Sequence, residues 1–140
     1  MQTVNFNPKV GLTLIFSLAL SGQLCADELD GKSNLICAAK TVVGCAYNSD
    51  CAQGSSDEFD LPDFMLVDFT KKQIHATKES GIEDVSTFAS SQITEQQIIL
   101  QGVENHRGWS AAIDRQSGRL SVSSVGADVS LIVFGRCTKI

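Results

Sequence analysis

Basic residues, proline, histidine and long apolar runs are all scarce in this chain. Its 140 residues carry 11 Lys and Arg against 16 Asp and Glu, a net charge of −5, so the positive stripe with which a protein grips phosphates is missing and no nucleic-acid partner is expected. With 2 Pro and 6% aromatics beside 43% apolar residues, the composition is that of one ordinary globular domain rather than a proline-rich or low-complexity segment. Only two histidines, His75 and His106, are present to supply imidazole chemistry. No apolar stretch reaches the roughly 20 residues that a membrane-spanning helix needs.

The longest apolar run is the eleven residues Val10 to Leu20 (VGLTLIFSLAL), preceded by Lys9 and followed by the small or polar SGQLCA. Charge, apolar core and small-residue end in that order predict a secretory signal peptide over residues 1–26. An uncleaved anchor would need a longer run, and a lipoprotein would need a small residue just before Cys25, which instead follows Gln23 and Leu24. Cleavage after Ala26 leaves 114 residues, residues 27–140, as a single domain with no membrane span. Loss of Lys9 alone leaves ten bases against sixteen acids, a net charge of −6.

Four cysteines then remain, Cys37, Cys45, Cys51 and Cys137. An even number in an exported chain reads as two disulfides, for which three connectivities exist. The rival, a zinc site, usually has ligand pairs two to four residues apart, and these spacings are longer.

The apolar pattern has period two more often than 3.6. Met65, Val67 and Phe69 fall on one face and Phe64, Leu66 and Asp68 on the other; Trp109, Ala111 and Ile113 likewise oppose Ser110, Ala112 and Asp114. Eight strands are predicted, near 34–43, 64–70, 73–78, 84–89, 96–103, 108–114, 119–125 and 129–137. Short connections suit an antiparallel meander, since parallel units need crossovers of a dozen or more residues. The predicted fold is therefore all-β, a small antiparallel meander closed as an eight-stranded barrel whose interior is filled or holds one small ligand. A β-sandwich is the runner-up. An α+β fold with one short helix in 82–100 is the other alternative, since Thr94 and Gln97 have capping-box spacing and Ile82, Val85 and Phe88 lie three apart. A helical turn is also expected in 57–63, and Asp27 to Lys32 reads as a frayed lead-in. Two stretches, LVDFTKKQIHAT from Leu66 and AIDRQSGRLSVS from Ala112, echo each other as hairpins, with Gly118 free to take positive φ in the second.

The stretch ILQGVENHRGWSAAIDRQSGRL from Ile99, the later IVFGRCT, and LICAAKTVVGC near the mature N-terminus together resemble small secreted proteins of Gram-negative bacteria. Gly108, Trp109, Ser110, Asp114, Gly118, Gly135 and Cys137 are the most recognisable positions. The resemblance carries no activity over; it implies an envelope location, periplasmic or secreted, and pairing of an N-terminal cysteine with a C-terminal one. Closure of a meander makes its first and last strands neighbours, which selects Cys37 with Cys137 and Cys45 with Cys51.

Candidate chemistry is sparse. Gly108-Trp109-Ser110-Ala111-Ala112 has the outline of a nucleophile elbow, but Ser110 lies inside an alternating strand with no helix after it. His75 reads as a solvent-facing strand residue and His106 as a turn residue, neither with a partner. From Thr41 to Thr70 there are six acids and no Lys or Arg; calcium is one reading of loop 50–63, but the spacing is not that of an EF-hand, and no metal or cofactor is expected. Trp109, the only tryptophan, stands at a strand end with Glu104 and Arg107 nearby, as an aromatic wall with polar rim groups does in a small-ligand site; the leading alternative is that it simply plugs the core of a small barrel. The functional expectation is a non-enzymatic barrel that binds a small, partly apolar ligand at Trp109, Arg107 and Glu104. The alternative is a protein-interaction module, such as an envelope hydrolase inhibitor, that offers its acidic loop to a basic protein. N-terminal sequencing of exported protein should begin near Asp27; a chain still carrying Val10 to Leu20, or lipid on Cys25, would overturn the targeting argument.

Overall fold

The structure is a computed structural model that describes residues 27–140; the signal peptide predicted for 1–26, with Cys25, lies outside the described residues. Nine strands form one antiparallel sheet: β1 (Leu35–Ala46), β2 (Ala52–Gly54), β3 (Phe64–Asp68), β4 (Gln73–Ala76), β5 (Val85–Ile93), β6 (Gln97–Glu104), β7 (Arg107–Asp114), β8 (Arg119–Val125) and β9 (Val129–Lys139). β1 pairs with both β3 and β9, so eight strands close into a barrel and β2 lies outside it along the far half of β1. The predicted all-β barrel is the fold. The sandwich is excluded by the unbroken ring of pairing.

The predicted strand positions hold, with ends displaced by a few residues. β2 was not anticipated, because three residues of Ala-Gln-Gly have no periodicity to read. The helix considered for 82–100 is absent: those residues are β5 and β6. Its capping signal has another use, since Thr94 Oγ1 accepts hydrogen bonds from the backbone N–H groups of Gln97 (2.9 Å) and Gln96 (3.3 Å) and so ties the β5–β6 turn. A capping side chain and a turn side chain satisfy the same i+3 donor. The helical turn expected in 57–63 is a short 3-10 turn over Asp57–Phe59. Among the described residues no helix is long and apolar enough to cross a membrane.

The echoing hairpins share a turn device. Asp68 Oδ1 accepts from the Lys71 N–H at 2.9 Å, and Asp114 Oδ1 from the Ser117 N–H at 2.7 Å, each three residues on and each within a four-residue connection. Gly118 has φ +71°, and a Cβ there would collide with the Cys137 carbonyl oxygen. Glycine is required on both counts.

Alternation decides what is inside. Leu35, Cys37, Val67, Ile98, Leu100, Ala111, Ile113 and Leu120 all point inward and form the core. Two irregularities let the sheet curl: one in β1 between Ala39 and Thr41 opposite β9, the other in β5 between Phe88 and Ser90 opposite β6. Past the first, Lys40 is exposed and Val42 is fully buried; without the extra residue the pleat would turn Val42 outward.

One expectation is corrected at the N-terminus. Asp27 to Lys32 does not fray: Leu29 is 4% exposed and belongs to the core, closing the end of the barrel opposite the β6–β7 turn. Arg115 holds it there. Its Nε donates to the Leu29 carbonyl (2.8 Å), Nη1 donates to the Thr94 carbonyl (2.8 Å), and Nη2 lies 3.2 Å from the Glu28 carboxylate. A lone Leu in a polar segment has no pattern of its own, which is why its burial was not visible in sequence.

Cys37 joins Cys137 and Cys45 joins Cys51, as predicted; both bonds are compatible with an oxidising compartment. The first links residues directly opposed across β1 and β9. The separations are 100 and 6 residues, for which the chain-entropy model assigns ~4.7 and ~2 kcal/mol. Cys137→Ser should therefore lower stability in urea by more than Cys51→Ser does. A larger loss from Cys51→Ser, or peptide mapping that joined Cys37 to Cys45, would contradict the closure argument.

Candidate functional site

Inward residues change size along the barrel axis. On β5 the series runs from Phe88 near the middle to Ser86 at the open end, on β4 from Ile74 to Ala76, on β8 from Leu120 through Val122 to Ser124, and on β6 from Leu100 to Gly102. The closed end is therefore packed with branched and aromatic side chains. Toward the open end the small inward side chains of Ala76, Ser86 and Ser124 leave a cavity of about 240 Å³ whose wall also includes Leu100, Trp109, Val122 and Leu131, more than the ~150 Å³ that admits benzene in an engineered core.

Trp109 stands in this cavity wall. It is directly opposite Gly102 on β6, and a Cβ at Gly102 would lie 2.6 Å from Cε2 and Cζ2 of the indole. The missing side chain is what gives the ring its place. Its Nε1–H is buried and has no hydrogen-bond partner, a state that costs roughly 1–3 kcal/mol relative to a satisfied donor. Ala111 and Ile113 continue the same face, as the alternation predicts.

The β6–β7 turn, Asn105-His106, has positive φ at both residues (46° and 62°), as a two-residue type I′ hairpin requires. That tight turn sets Glu104 and Arg107 opposite each other, and both border the cavity. All three residues expected at the site thus converge on the mouth. They do not pair: among the described residues neither Glu104 nor Arg107 makes an ion pair. Glu104 instead faces Asp84, the last residue of the β4–β5 connection. Burial, then the Asp84 charge and a side-chain hydrogen bond with Asp84, raise the Glu104 pKa above the usual carboxylate range.

Other candidates fall elsewhere. Ser110 pairs with Gln101 and Ser123 on the face opposite to Trp109, with neither histidine beside it in the ladder. His75, expected to face solvent, is half-buried and borders the cavity. Among the described residues no group of three His, Cys, Asp or Glu side chains is placed to hold a metal ion. In the acidic loop, the Glu58 carboxylate accepts from the Ser55 N–H (2.7 Å) and hydroxyl (2.9 Å), and Asp63 accepts from the Ser56 hydroxyl. Phe59 covers Gly44 and Gly54. Two loop residues, Leu61 and Pro62, reach the cavity; the sequence showed the charge of this loop and not its contact with Trp109's end of the barrel.

In comparisons with protein-family models, curated proteins and solved structures, no match to this chain is found.

The raised Glu104 pKa has a consequence for stability. An acid whose folded pKa lies above its unfolded value of about 4.3 binds more protons folded than unfolded, so it lowers stability as pH rises between the two and leaves that loss in place above them. Glu104→Gln should thus be more stable than the parent in urea at pH 7–8, with the difference vanishing below about pH 4. Equal stability at both pH values would show that the carboxyl is not disfavoured at the rim.

Proposed function

We propose that this protein is a non-enzymatic binding module, periplasmic or secreted, that takes a small, partly apolar ligand into the open end of its barrel. The observation that carries this reading is the cavity of about 240 Å³ beside Trp109, together with the polar groups Glu104, Asp84 and Arg107 gathered at its mouth. An apolar chamber with a few rim groups is the form that small-ligand sites take. The volume lies below the ~300–1,000 Å³ of drug-sized sites, so the ligand is small or inserts only its apolar part. The signal-like leader, the two disulfides and the resemblance to small secreted proteins support the compartment.

The second reading, an interaction module, draws on Tyr47, 75% exposed in the turn stapled by Cys45 and Cys51. Against it, Glu58 and Asp63 are engaged by the loop's own serines, and Leu61 and Pro62 belong to the cavity wall. Those contacts favour the ligand reading.

Tryptophan emission reports the site without a label, because Trp109 is the only tryptophan in the chain. Titration with octanol, a neutral amphiphile, should give a saturable change in emission. Trp109→Ala should cost ~1–3 kcal/mol in urea, less than the ~3–5 kcal/mol typical of a core-filling aromatic, since the space it vacates adjoins one already present. Emission indifferent to octanol, combined with a loss at the upper figure, would make Trp109 a core plug and remove the site.

A further inference from the structure

We infer that the barrel mouth selects small organic cations, an apolar body in the cavity with an ammonium group at the Glu104 and Asp84 carboxylates. The inference rests on the binding-module reading and specifies which head group that site accepts.

Three independent arrangements support a cation. Glu104 and Asp84 meet at the rim with no Lys or Arg bridging them: among the described residues the ion pairs are Lys71 with Asp68 and Arg115 with Glu28, both elsewhere. Burial first, and then the charge of Asp84, raise the pKa of Glu104, because two facing carboxyls without a counter-charge repel; an ammonium seated between them would supply the missing charge and donate a hydrogen bond to each. Trp109, in the same wall, adds an aromatic face, the surface to which ammonium groups are drawn. The loop that brings Leu61 and Pro62 to the mouth also carries Asp57, Glu58, Asp60 and Asp63, so the field around the opening is negative and steers cations toward it.

Arg107 is the only Lys or Arg in the cavity wall, and it is the group an anionic ligand would need. Its stem packs on the β8–β9 turn: Cγ and Nε lie 3.0 and 3.5 Å from where a Cβ of Gly126 would stand. One guanidinium leaning on that turn is outweighed at the rim by two carboxyls and the acidic loop.

The test compares octylammonium, octanol and octanoate at pH 7.5, three probes with one apolar tail, by calorimetry and Trp109 emission on the mature protein. Octylammonium should bind roughly tenfold tighter than octanol, with octanoate the weakest. In Glu104→Gln/Asp84→Asn, and more mildly in Glu104→Gln alone, the ratio of ammonium to octanol affinity should fall toward one. Equal binding of all three by the parent protein, or tightest binding of octanoate with loss in Arg107→Ala, would overturn the cation inference and leave the binding module standing. No binding of any probe would overturn the module itself.

Discussion

The pairing of β1 with β9 is the constraint on which everything else depends. A meander without it is a twisted sheet with two exposed edges; with it, all the barrel strands have neighbours on both sides and the inward side chains acquire a common interior. The long ladder from Leu35 with Lys139 to Ala46 with Val129 joins parts of the chain that are farthest apart in sequence, so it carries the largest loop-closure cost of any pairing in the fold. Cys37–Cys137 sits within that ladder. By tying the unfolded chain at the same two strands, the disulfide reduces the entropy that this one pairing must overcome.

Closure makes the interior a tapering volume rather than a uniform one. Large residues and the Leu29 plug fill one end, and the small side chains of Ala76, Ser86 and Ser124 at the other leave the cavity. Arg115 is central to the asymmetry, because its guanidinium satisfies backbone carbonyls of both the lead-in segment and the β5–β6 turn. A single side chain therefore seals one end of the barrel while Trp109, resting across Gly102, shapes the other.

The mouth carries costs that the rest of the molecule does not. An indole N–H is buried without a partner, and two carboxyls face each other. Two acids elsewhere are well satisfied: Asp30 accepts from the N–H groups of Ser33 and Lys32, and Asp114 from the hydroxyl and N–H of Ser117. Both carboxyls are held below the usual range, Asp30 chiefly by the Ser33 N–H and Asp114 chiefly by the Ser117 hydroxyl. Unmet hydrogen bonds and unpaired charge concentrated at one opening are the pattern of a surface shaped for something other than stability.

Much of this was legible before any coordinates. Alternation in Met65 to Phe69 and in Trp109 to Ile113 is a local property, because the pleat points every second side chain to one face; it named the strands and, with short connections, the closed meander. The disulfides followed, since closure leaves one neighbour for Cys137. Trp109, Glu104 and Arg107 lie close along one hairpin, which is why they border one cavity. What lay beyond the sequence was whatever depends on distant segments meeting. Asp84 and Glu104 are twenty residues apart with no motif between them, Leu29 has no periodic partners, and β2 is too short to show a pattern. The cavity is the difference between a barrel's volume and the summed side chains of many strands, so no local stretch contains it. Only the tertiary structure decided that the small residues of those strands fall at the same height, and that the acidic loop borders the space they leave.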